Sequence, residues 1–137
     1  MTVEKMYELT KAWMFEKPTS TIYNNYIIPI CNKVLAELYE ENNMCRMWNG
    51  KLPFADGVSA HLIPDDGEDR LKFELDYEEE YQRDVIPKGI DANFLMDDDL
   101  SKMSILQTEY NNARVAHQKM LSYEKVKELT KEAEDAL

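Results

Sequence analysis

The sequence predicts a mainly α fold, a helical bundle of four to five helices with a β-hairpin insertion at about 50–76, between the second and third long helices. Three observations lead there. Apolar residues recur at spacings of three and four over most of the 137 residues, the period drops to two only between Asn49 and Asp76, and breaks rich in Pro, Asp and Gly separate the periodic runs. A chain of this length with 44% hydrophobic residues supports one core. Residues 1–121 are therefore assigned to one helical domain carrying the hairpin, and 122–137 to a C-terminal docking helix or tail.

Each element follows from its spacing. Val3, Met6, Tyr7, Thr10, Trp13 and Met14 define a short amphipathic helix that Lys17-Pro18 stops. After the cap candidates Thr19 and Ser20, Tyr23, Tyr26, Ile27, Ile30, Val34 and Leu38 form one row and Ile28, Cys31 and Leu35 a second, so this long helix is buried on more than one side and kinked at Pro29. Val58, Ala60 and Leu62 then alternate with polar residues, as do Leu71, Phe73 and Leu75, and Pro64-Asp65-Asp66-Gly67 lies between: a hairpin pattern. The helical period returns in Tyr77, Tyr81, Val85, Gly89, Ala92 and Met96, with Pro87 inside it and Gly89 placed to admit a close neighbour. Met103, Leu106, Tyr110, Ala113, His117 and Met120 form the next seam, expected to pack antiparallel on the Tyr81, Val85, Gly89, Ala92 face. The last segment has high helix propensity but a thin apolar row, so it is expected to order on a partner.

Charge and motif content exclude several classes of function. With 27 acidic against 16 basic residues the net charge is -11, which repels phosphate backbones. No basic stripe or run of about 18 apolar residues addresses a membrane, and the charged N-terminus lacks a signal-peptide core, so assembly in the cytosol is expected. Cys31 and Cys45 stand apart from any ligand spacing and read as buried fillers. The triplet Asp97-Asp98-Asp99 fails as a calcium loop, because Lys102 stands where glycine is needed and Thr108 where a bidentate Glu is needed. Asp98 and Asp99 read instead as caps of the following helix, and Glu78-Glu79-Glu80 as a solvated helix start. His61 and His117 lie far apart, neither has Glu three residues before it, and no nucleophile, P-loop, GxGxxG or HExxH pattern occurs. No catalytic residue, cofactor or metal is expected, and the chain is not expected to be an enzyme.

Two stretches carry a resemblance. IPKGIDANFLMDDDLSKMSILQTEYNNARVAHQK, an apolar helix with small residues followed by an acidic break and a second helix with Tyr110-Asn111-Asn112-Ala113-Arg114, resembles the C-terminal half of head–tail connector (adaptor, or neck) proteins of tailed bacteriophages. MYELTKAWMFEKPTSTIYNNYIIPICNKVLAELYEENN looks like their opening helix, turn and long second helix. The resemblance spans most of residues 1–121 and leaves the hairpin region and the charged tail unmatched. It implies a structural virion protein: a homo-oligomer, by the family's pattern a ring of about twelve copies, in the neck between capsid portal and tail. The ring would contact the portal protein and tail or neck components, with DNA passing through its lumen without specific binding. On that footing Val126, Leu129 and Ala133 are the portal-docking row, and the acidity lets DNA slide. The alternative is an acidic DNA-mimicking inhibitor of a nucleic-acid-binding protein, its carboxylates at 65–69, 76–80 and 97–99 standing in for phosphates.

Overall fold

In the computed structural model, which describes residues 1–13, 24–64, 67, 69–94, 100–120 and 122–136, α3 (Ile86–Phe94) is the helix around which the others gather. It touches α1 (Val3–Trp13), α2 (Ile27–Trp48) and α4 (Leu100–His117), and α5 (Tyr123–Asp135) ends the chain. Contact on several sides explains its composition: Ile86, Ile90 and Ala92 are buried and Gly89 supplies a thin point. The core continues through Val3, Met6 and Tyr7 of α1 and both predicted rows of α2, where Ile27, Cys31, Val34, Leu35 and Leu38 are buried.

Pro29 has a gentler role than a kink. α2 begins at Ile27, so Pro29 falls in the first turn, where its missing N–H has no intrahelical partner to lose. The cap candidates Thr19 and Ser20 lie outside the described residues, and Tyr26 occupies the cap position. At the other end Gly50, with φ of 83°, closes the helix. Its N–H reaches the Met47 carbonyl at 3.1 Å and the Lys51 N–H reaches the Arg46 carbonyl at 2.9 Å, the paired bonds of a Schellman motif.

The expected hairpin is not there. Val58–His61 and Arg70–Lys72 are short 3-10 helices, and no strand forms among the described residues. The alternation misjudged the inward face: His61 and Ile63 are buried, whereas Val58 and Leu62 are only half-buried and Ala60 is exposed. The backbone groups that a second strand would satisfy are taken by asparagines of α2. Asn32 clamps Ile63 from both sides, its Nδ2 donating to the Ile63 carbonyl at 2.9 Å and its Oδ1 accepting the Ile63 N–H at 2.8 Å. Asn43 Oδ1 accepts the Phe54 N–H at 3.0 Å, and Asn42 Oδ1 the Glu78 N–H at 2.7 Å. The run around Phe73 pairs instead with the N-terminus: Val3 N–H donates to the Phe73 carbonyl at 3.0 Å and Leu75 N–H to that of Met1 at 2.9 Å, around an isolated antiparallel bridge between Thr2 and Glu74. What remains of the predicted fold class is its mainly α character.

Asn32→Ala is expected to lower the urea midpoint, at a cost of about 1–3 kcal/mol, because it strands two backbone groups of the buried Ile63. An unchanged midpoint would show that side-chain clamps do not hold this segment.

Pro87 shapes the helix before it. An α-helix carried straight through would press its ring on the Arg83 carbonyl and leave that carbonyl without its donor. The chain answers with a π-helical turn over Tyr81–Val85, in which the Ile86 N–H reaches back to the Tyr81 carbonyl. The same widening turns Asp84 and the Tyr81 ring toward α4, since Asp84 pairs with His117 and the Tyr81 ring lies 6.3 Å from that imidazole.

Candidate functional site

The contact of α3 with α4 is the centre of the sequence-derived site. A Cβ on Gly89 would stand 2.7 Å from Tyr110 Cε1 and 2.9 Å from Val34 Cγ1, so the glycine is the recess into which the Tyr110 ring fits. Tyr110 and Ala113 are buried, and Leu106 packs against the core from its edge. Met103 lies in α4, with its side chain outside the described set. Asp97, Asp98 and Asp99 lie outside the described residues, and so does the proposed capping by Asp98 and Asp99.

Polar pairs run beside this seam and tie α4 to two elements. Arg114 grips Glu41 of α2 through Nη2 at 2.6 Å and Nε at 3.0 Å from the same carboxylate oxygen. Those bonds raise the guanidinium pKa further, so the cation persists at any ordinary pH. One turn on, His117 Nε2 meets Asp84 Oδ2 at 2.8 Å while Lys88 holds Asp84 Oδ1 at 2.5 Å. Burial alone would raise the Asp84 carboxyl, but the hydrogen bonds from Lys88 and His117 outweigh it and keep it below its ordinary value. Tyr81 and Tyr110 bring buried hydroxyls without a hydrogen-bond partner among the described residues, and desolvation pushes both phenols upward, so they stay neutral.

Cys45 completes the cluster as a donor. Its thiol lies 3.0 Å from Glu80 Oε2, and burial followed by that hydrogen bond pushes its pKa up to about 12. A nucleophilic cysteine needs the opposite shift. The neighbouring Glu78 corrects the expectation of a solvated acidic helix start. It is 4% exposed, with Lys51 Nζ at 2.9 Å and Asn49 Nδ2 at 3.2 Å. No group of three or more His, Cys, Asp or Glu among the described residues could hold a metal ion. What the arrangement does chemically is hold three elements in register through charge-assisted bonds.

The last third of the chain is different in kind. Ile105 and Val115 of α4 are exposed, and Met120 and Tyr123 at the junction with α5 are 87% and 79% exposed. Ser122 caps α5 by accepting the Lys125 N–H at 3.2 Å. Of the expected docking row, Leu129 is buried and Val126 and Ala133 are half-buried, yet no residue of α5 belongs to the core cluster. Sequence reasoning missed the Arg114–Glu41 grip, the buried Asp91 and the interior role of Glu78. The Arg114–Glu41 partners stand 73 positions apart, beyond any local spacing rule.

No known protein family, no curated protein and no solved structure matches this chain.

Proposed function

We propose that the chain is a structural virion protein that forms a ring between the portal and the tail of a tailed bacteriophage, extends the DNA channel and offers tail components a docking surface. The resemblance of most of residues 1–121, the 50–76 region excepted, to connector proteins leads to this proposal. The observation that carries it is the pairing of a braced helical body with a C-terminal helix that stays outside the core cluster and buries only Leu129. α2, α3, α4 and the π turn are locked by the Gly89 contact and the Arg114 and His117 pairs. α5 is amphipathic and outside that core cluster, and it opens on exposed Tyr123, three residues after exposed Met120. Heterologous contact between neighbours is the means by which such a surface closes into a ring. The acidic excess suits a lumen through which DNA slides without being held.

The inhibitor alternative needs a continuous stripe of solvent-facing carboxylates. The acidic cluster at 76–80 argues against one, because Glu78 is buried with Lys51, Glu80 accepts from Cys45 and Asp76 pairs with His61 at 2.5 Å.

Amide exchange and native mass measurement test the proposal together. Amides of residues 123–136 are expected to exchange within seconds in the free chain and to become protected when candidate portal rings are added, with multimers appearing in the mass spectrum. Full protection in the monomer, or portal binding that survives deletion of 122–137, would remove the docking role of Val126, Leu129 and Ala133.

A further inference from the structure

A groove of about 620 Å³ opens between the start of α1, the C-terminal turn of α2 and the π-helical turn, within the size range of ligand clefts. Leu75 and Tyr77, 4% and 2% exposed, contribute its apolar lining. Gln82 braces that part of the wall by donating to the carbonyls of Leu75 at 3.1 Å and Tyr77 at 2.5 Å. Lys5, Arg46, Lys51 and Arg83 line it together with three carboxylates, which makes a net positive lining on a molecule of net charge -11.

Each carboxylate of this set has a partner. Asp76 is taken by His61 at 2.5 Å, Glu78 by Lys51 and Asn49, and Glu79 by one arm of Arg83 at 2.5 Å. The cations retain donors. Arg46 has no ion pair among the described residues; only its Nε is used, on the Leu52 carbonyl at 3.0 Å, with the guanidinium lying 4.3 Å from the centre of the Phe54 ring. The ring contact draws the cation onto Phe54, and the two Nη groups, without a hydrogen-bond partner among the described residues, can offer a fork. Lys5 is 71% exposed, with its nearest carboxylate, Glu8, at 3.9 Å.

We propose that this groove binds a short acidic peptide segment of a partner protein, with side-chain carboxylates received by Arg46, Lys5 and Arg83. Charge complementarity selects the occupant. A polyanion is repelled by the rest of the molecule and finds attraction here, so the overall charge orients the encounter as well as limiting it. A carboxylate matches the planar Arg46 fork, and a groove of this size holds a few residues. A nucleic-acid strand would carry its dense phosphates beyond the groove onto acidic surface. Peptide binding by the isolated chain needs neither ring nor portal, so it succeeds or fails independently of the assembly proposal.

Fluorescence anisotropy with a fluorescein-labelled hexaglutamate peptide tests it. Saturable binding that weakens with added salt is expected. Lys5→Glu combined with Arg83→Glu, both at highly exposed positions, is expected to weaken it by at least about tenfold, while Lys125→Glu with Lys131→Glu on α5, an equal change in net charge, leaves it within about twofold. Amide shifts in the unaltered protein are expected to cluster at residues 5, 46, 51 and 83. Lack of saturation, equal losses in the two double variants, scattered shifts, or tighter binding of a deoxythymidine hexamer would each overturn the proposal.

Discussion

Gly89→Leu is expected to destabilise the protein by about 3 kcal/mol or more, and Gly89→Ala by about 1–2 kcal/mol, read as falls in the urea midpoint. The first carbon of any side chain there meets two walls. Tyr110 Cε1 would be 2.7 Å away and Val34 Cγ1 2.9 Å, inside contact distance on both sides. Neither wall can yield cheaply. Val34 is fully buried on α2 and stiff at χ1, and Tyr110 is 1% exposed with the Arg114 guanidinium 5.4 Å from its ring centre. Alanine recovers up to about 1 kcal/mol of helix propensity relative to glycine, which is why its net loss is the smaller. A second substitution separates the contact from general helix effects. Tyr110→Phe keeps the clashing ring carbons and should give no relief, whereas Tyr110→Leu should cost less when combined with Gly89→Ala than alone. Strict additivity of those two substitutions would show that the Gly89 recess and the Tyr110 ring are not coupled.

The elements that could be read from the sequence were those whose signal is periodic and local. The α2 rows from Ile27 onward and the Leu106, Tyr110, Ala113 part of the α4 seam announce themselves because every third or fourth residue must be apolar when one stripe of a helix is buried. The expected ends of these rows, Tyr26 and Met120, lie outside the helices at 59% and 87% exposure, whereas Gly89 stands out as the one glycine in such a stripe. The 50–76 segment misled for a physical reason. Alternation reports which way side chains point, but a strand also needs a backbone partner, and Asn32 and Asn43 had already supplied one from a helix. Those asparagines are silent in a hydrophobic pattern. Pro87 signalled a disturbance in the helix without saying that a π turn would absorb it. Of the candidate site, the apolar half was legible. Its polar half was not, because Arg114 with Glu41 and His117 with Asp84 are brought together only by the fold.

Asp91→Asn is expected to stabilise the protein, by about 1–3 kcal/mol at pH 8 and progressively less toward acid. Asp91 lies on α3 at 1% exposure, with Oδ1 lacking a hydrogen-bond partner and no ion pair among the described residues. Desolvation, followed by repulsion from Glu109 on α4, pushes its pKa from 3.8 up to about 8. The folded state therefore keeps a proton that the unfolded chain releases above its ordinary carboxylate pKa. Stability contributed by this group is fully present below pH 3.8 and is lost as pH rises to about 8, by up to about 1.4 kcal/mol per unit, before levelling off above it. Asparagine is neutral throughout and lacks this slope. Its own buried amide also wants partners, which holds the net gain below the full linkage term. Urea denaturation of both proteins at pH 5.5, 7 and 8.5, taken as roughly spanning the titration window, separates the two contributions. The gap between the curves should widen with pH. Parallel pH profiles, or a variant less stable than the parent at pH 8.5, would mean that Asp91 is ionised in the folded protein and has found a partner in the core.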